Sequence, residues 1–176
     1  MKDTDAPKVQ WYQKLEEEDY EPSKGDLTKQ QLNDIHKQLS FEKHIDETYR
    51  WIHDIAFLLD GSPRYDVAYQ GLRGVLFAMR DRMTPAEVFQ FSAQLPLHIR
   101  GIFFEGYNLK DKPQKYHAEE FLDRIDSAIP SGAYEGKKVF KAVLRVIYDH
   151  ISKGELKDIH ATFPKDLQAL WNEVLA

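Results

Sequence analysis

Residues 74–103 read GVLFAMRDRMTPAEVFQFSAQLPLHIRGIF and residues 142–171 read AVLRVIYDHISKGELKDIHATFPKDLQALW; at a shift of 68 the two align without a gap. Six of the thirty positions are identical: Val75/Val143, Leu76/Leu144, Asp81/Asp149, Glu87/Glu155, Ala93/Ala161 and Pro96/Pro164. The apolar positions coincide as well, pairing Met79 with Ile147, Met83 with Ile151, Phe91 with Ile159, Leu95 with Phe163, Ile99 with Leu167 and Phe103 with Trp171. Recurrence at one period signals a structural unit used twice. Upstream, Trp51-Ile52 and Ile55 match Phe121-Leu122 and Ile125 at a shift of 70, which a two-residue change in loop length accommodates.

The unit is helical. Phe41, Ile45, Tyr49, Ile52, Ala56 and Leu59 fall three and four apart, and Asp60-Gly61-Ser62-Pro63 ends the run, so an amphipathic helix is expected over 42–59. A second is expected from Tyr65 to Arg82, with the stripe Ala68, Leu72, Val75, Leu76, Met79 and Met83. Gly71 and Gly74 lie inside it and point to close helix packing rather than a phosphate loop. Thr84-Pro85-Ala86-Glu87 has the form of a capping box, in which hydroxyl and carboxylate satisfy orphan amides at a helix start. Ser152-Lys153-Gly154-Glu155 and Thr28-Lys29-Gln30-Gln31 repeat the pattern. Each is flanked by an apolar staple: Met83/Val88, Ile151/Leu156 and Leu27/Leu32. Leu32-Asn33-Asp34-Ile35-His36 echoes Leu156-Lys157-Asp158-Ile159-His160, as in a truncated third copy.

The expected fold is therefore all-α: a bundle of about 7–9 helices made from two tandem pseudo-repeats, with a partial third copy near the N-terminus. Residues 1–26 form a weakly ordered acidic arm, and 27–176 a single helical domain comprising a partial repeat (27–40), a first repeat (41–107) and a second (116–176). Trp11, Tyr12 and Leu15 interrupt the acidic arm and would either pin it to the body or dock on a partner.

Composition removes several function classes. A net charge of −5 argues against a nucleic-acid partner, which calls for clustered cations. No uninterrupted apolar run is longer than Ile55–Leu59, against the roughly 20 residues a membrane helix needs. The chain has no cysteine, so thiol chemistry and disulfides are excluded and a reducing, cytoplasmic location fits. No Glu-x-x-His, His-x-x-x-His, Gly-rich phosphate loop or Gly-x-Ser-x-Gly occurs, so no catalytic residue, metal ligand or cofactor is assigned. His53 and Asp54 are sequence neighbours on a helix and are expected to point apart.

The stretch Ala93-Gln94-Leu95-Pro96-Leu97-His98-Ile99-Arg100-Gly101-Ile102-Phe103-Phe104-Glu105-Gly106-Tyr107 resembles the bacterial family called domain of unknown function 2267. That family carries an A-Q-L-P segment followed by Arg-Gly, an aromatic pair and a Gly-aromatic ending; Tyr107 stands where many relatives have tryptophan. The resemblance covers roughly residues 42–172. It implies a helical fold and a prokaryotic, intracellular setting, and no activity.

Arg100, Phe103, Phe104, Glu105 and Tyr107, with Trp11 and Tyr12, form the candidate interaction or ligand surface. In the second half, Gln168 and Ala169 replace Arg100 and Gly101, so the first copy carries an Arg, two Gly and three aromatics beyond what its counterpart uses. The competing reading is structural: Phe103 and Phe104 in the core, Arg100 paired with Glu105, and Gly101 and Gly106 ending a helix. The leading functional expectation is a non-enzymatic helical protein-binding or adaptor module. The alternative is a small-molecule carrier or sensor with an aromatic-lined pocket between the repeats, and the third is an enzyme with dispersed catalytic residues.

Overall fold

The computed structural model describes residues 27–39 and 41–176. The arm over 1–26, with Trp11, Tyr12 and Leu15, lies outside the described residues. The chain divides into two units, Met1–Lys43 and His44–Ala176. Among the described residues there are nine helices and no strand: α1 Lys29–Leu39, α2 Glu42–Leu59, α3 Tyr65–Arg82, α4 Pro85–Gln94, α5 Leu97–Phe104, α6 Ala118–Ala128, α7 Gly136–His150, α8 Lys153–Thr162 and α9 Lys165–Leu175. In the first unit, α1 opens with the expected reciprocal cap: Gln31 N donates to Thr28 Oγ1 at 3.2 Å and Thr28 N donates to Gln31 Oε1 at 2.9 Å.

The second unit is organised by α3. Its predicted stripe, Ala68, Leu72, Val75, Leu76, Met79 and Met83, is fully buried, each large side chain contributing about 1.5–3 kcal/mol relative to exposure. α3 packs against α5, α6 and α7, and α7 in turn against α6 and α9. The separation of α3 from α6 and α7 depends on the two glycines. A Cβ on Gly74 would stand 2.7 Å from Ala128 Cβ, and one on Gly71 would stand 2.7 Å from Val139 Cγ1. The packing role read from Gly71 and Gly74 is thus what the geometry requires.

The helix starts are capped as their sequences dictate. Thr84 Oγ1 accepts from Glu87 N at 3.4 Å while Thr84 N donates to Glu87 Oε2 at 2.7 Å, with Pro85 at the first helical position. At α8, Ser152 Oγ accepts from Glu155 N at 3.3 Å, and the return bond from Ser152 N to the Glu155 carboxylate does not form. α6 is capped from a distance: Asp166, in the first turn of α9, accepts from Ala118 N at 2.8 Å and from His117 at 3.0 Å. These bonds, led by the one from Ala118, hold its carboxyl below the usual range.

α2 departs from its expected burial. Its core face is Thr48, Trp51, Ile55, Ala56 and Leu59, whereas Ile45 and Tyr49 of the predicted stripe are exposed. Trp51 outweighs the smaller residues of the stripe in apolar area, so the helix turns to bury it, with His150 at 4.9 Å between ring centroids. The loop after α2 is tied to the α6–α7 loop through Asp60, which accepts from Ser62 N at 2.9 Å, Ser62 Oγ at 2.5 Å and Tyr134 OH at 2.7 Å.

The glycine contacts and the Asp60 bonds are each open to test by substitution. Gly74→Ala is expected to cost about 1–3 kcal/mol in urea unfolding, and Ala128→Gly in the same chain to recover part of that loss. Gly101→Ala, where a Cβ meets nothing within 4 Å, is expected instead to gain about 0.5–1 kcal/mol. The Ser62 and Tyr134 bonds hold the Asp60 carboxyl down at about 2, from an ordinary 3.8. Its folded-state acidity is the stronger, so its stabilisation is complete above pH about 4 and is lost as pH falls toward about 2. Acid unfolding of Asp60→Asn is expected to show a shallower pH dependence across that window.

Candidate functional site

The corner between α4 and α5 is built around Arg100. Its Nη2 donates to Ala93 O and Leu95 O, both at 3.1 Å, closing the last carbonyls of α4. In α9, Gln168 Nε2 donates to Ala161 O at 3.4 Å and Phe163 O at 2.7 Å, the corresponding carbonyls of α8. The guanidinium therefore does what an amide does in the other corner. Glu105 does not pair with Arg100; it meets Arg73 at 3.0 Å, because the Arg100 side chain turns back along α4 while Glu105 lies beyond the end of α5.

Phe103 is fully buried, with its ring centroid 5.5 Å from that of Phe91. Gly101 sits inside α5 and does not end it; Gly106, at φ 63°, is the residue that reverses the chain there. Phe104 and Tyr107 are half-buried. Phe104 lies 5.9 Å from Phe89 on one side and 5.9 Å from Tyr107 on the other, and Phe89 is 63% exposed. The result is an aromatic strip crossing from α4 over α5. Arg73 continues it along α3, 5.7 Å from the Tyr69 ring and 5.4 Å from the Phe77 ring.

Beneath the strip lies a cation that the sequence reading passed over. Arg80 is only 5% exposed, and its Nη1 donates to Phe103 O at 2.6 Å and Glu105 O at 2.9 Å, anchoring the end of α5 on α3. The guanidinium rests 4.4 Å from the Phe77 ring and 5.2 Å from the Tyr107 ring. Burial raises the Tyr107 pKa, with Arg80 opposing the rise and Asp81 adding to it. The hydroxyl of Tyr107 is buried with no hydrogen-bond partner among the described residues.

Asp81 centres a second polar group. Its carboxylate receives Lys112 Nζ at 2.7 Å and Arg80 Nε at 3.1 Å, with Arg124 Nη1 at 4.0 Å. Its carbonyl accepts from Gln114 N at 2.7 Å, and Arg82 Nη1 donates to Gln114 O at 2.5 Å. Tyr116 OH donates to Ala78 O, and Arg124 covers the Tyr116 ring at 4.1 Å. These bonds stitch the connection between α5 and α6 to the last turns of α3. Arg80-Asp81-Arg82 was the signal available in sequence: three consecutive charges beside buried Met79 and Met83 need partners from elsewhere in the chain.

Neither group is arranged for metal binding. Among the described residues no three His, Asp or Glu side chains converge on a point a cation could occupy. His53 and Asp54, expected to point apart, meet at 3.1 Å between Nδ1 and Oδ1, because both side chains are long enough to bend together on an exposed helix surface.

The division of labour gives a mutational test. Arg100→Gln is expected to stay within about 0.5 kcal/mol of the natural chain, and Arg100→Ala to lose about 1–2 kcal/mol. Arg80→Met, which orphans two carbonyls and removes one of the partners of Asp81, is expected to lose about 2–4 kcal/mol. Thermal denaturation of the three variants side by side checks the order.

No curated protein matches the chain. Residues 48–170, from Thr48 in α2 to Leu170 in α9, match a family described as an uncharacterized conserved protein, and the chain thus belongs to the DUF2267 family.

Proposed function

We propose that this protein is a non-enzymatic helical binding module that engages a protein partner through the aromatic strip of Phe89, Phe104 and Tyr107, with Arg73 and Glu105 at its edge. The observation that carries this reading is Phe89: a phenylalanine 63% exposed and tilted against a half-buried neighbour offers the kind of anchor around which interface hot spots form. Within Arg100–Tyr107, Phe104, Glu105 and Tyr107 supply the surface, while Arg100 and Phe103 hold its scaffold. The net charge of −5 and the absence of cysteine support a cytoplasmic protein partner over nucleic acid.

The two halves are further inferred to be tandem copies, α2 to α5 corresponding to α6 to α9. Support comes from the burial of Met79/Ile147, Met83/Ile151, Phe91/Ile159 and Phe103/Trp171, and from the matching Arg100 and Gln168 corners. The second corner has Lys157 and Asn172 in place of Phe89 and Phe104, so the strip belongs to the first copy alone.

A small-molecule carrier is the second reading, and one observation favours it. Tyr49, Ile52, His53, Tyr65 and Asp66 line an apolar recess of about 480 Å³, within the size range of ligand pockets. It lies between α2 and α3 rather than between the halves.

The adaptor reading is tested by affinity capture from the source organism with the natural chain and with Phe89→Asp. A polypeptide retained by the first at least tenfold more than by the second, with unchanged circular dichroism for both, is the expected result. Equal recovery of every polypeptide by the two baits contradicts it.

A further inference from the structure

The recess between α2 and α3 has walls and a rim of different chemistry. Its walls are Tyr49, Tyr65 and Ile52; Tyr49 is 65% and Tyr65 48% exposed, and the Tyr65 ring lies 6.3 Å from that of His53. At its rim, Asp66 is the one lining residue with a fixed charge. His53 lines it in contact with Asp54, and none of the lining residues is Lys or Arg. On α2, Asp46 lies one helical turn before Tyr49 and Arg50 one turn before His53.

This face is also where α2 breaks its own pattern. The spacing Ile45, Tyr49, Ile52 reads as core, yet the helix buries Trp51 and Ile55 instead and leaves Tyr49 at the surface. Tyr49 thus contributes little to the core. Aromatic faces carry negative potential, and a carboxylate beside them strengthens it; together they attract a cation, while the apolar walls accept a hydrocarbon body.

We propose that this recess binds an organic cation, a quaternary or primary ammonium group joined to an aromatic or short aliphatic body. The ammonium faces Asp66 and the tyrosine rings, and the apolar body rests on Ile52. The proposal rests on the carrier reading and names its ligand class; it is independent of the aromatic strip on α4 and α5.

The test uses the full chain and three probes of similar size: benzyltrimethylammonium, benzyl alcohol and benzoate, each titrated while the Tyr49 and Tyr65 ring signals are followed by NMR. The cation is expected to give saturable shifts at both rings, at least roughly fivefold tighter than benzyl alcohol, with no saturation by benzoate. Asp66→Asn is expected to reduce that preference about threefold and Tyr65→Ala to abolish the shifts at Tyr49, while Tyr65→Phe and Phe89→Asp retain binding. Tyr65 and Asp66 are both exposed, and circular dichroism confirms that each variant is folded. Benzyl alcohol binding as tightly as the cation overturns the ligand class and leaves the carrier reading standing. Absence of saturable shifts with all three probes overturns both.

Discussion

The rest of the second unit depends on the close approach of α3 to α6, which only a glycine at position 74 permits. With Gly74 against Ala128 and Gly71 against Val139, α3 sits low enough on α6 and α7 for Leu72, Val75, Leu76 and Met79 to be excluded from water completely. Dense packing of this kind has two consequences. It supplies the hydrophobic stabilisation that offsets chain entropy, and it fixes the height of every group that α3 carries at its C-terminal end. Arg80 and Asp81 are the groups that matter most there.

From that height, Arg80 reaches the last carbonyls of α5 and Asp81 reaches Lys112 and the Gln114 amide. A buried guanidinium is costly unless its donors are used, and here two carbonyls, one carboxylate and two aromatic faces receive it. The end of α5 is thereby held in place, and with it Phe104 and Tyr107. The proposed binding surface is held by this polar anchoring from below together with the corner residue Arg100, whose task in the other corner falls to Gln168.

Much of this was legible in the chain. The bounds 42–59 and 65–82 follow from apolar spacing and an Asp-Gly-Ser-Pro loop, and α4 begins where its capping box begins. Gly71 and Gly74, inside an otherwise apolar stripe, announced a close contact, though not its partners. Long-range polar bonds were not legible, because a link such as Arg80 to Phe103 O leaves no period in sequence. The same holds for Glu105, whose partner Arg73 lies 32 positions away. The rotation of α2 was missed for a different reason: spacing marks a stripe, but burial follows the largest apolar area, and Trp51 lies one position off that stripe.

Native-state hydrogen exchange tests the central role of α3 most directly. If the glycine-mediated contact with α6 and α7 organises the unit, the amides of residues 71–79 and 121–128 will exchange slowest, together, and only through global unfolding, while those of α4 and α8 open earlier. Exchange in α3 that is faster than in α9, or independent of α6, would contradict the account.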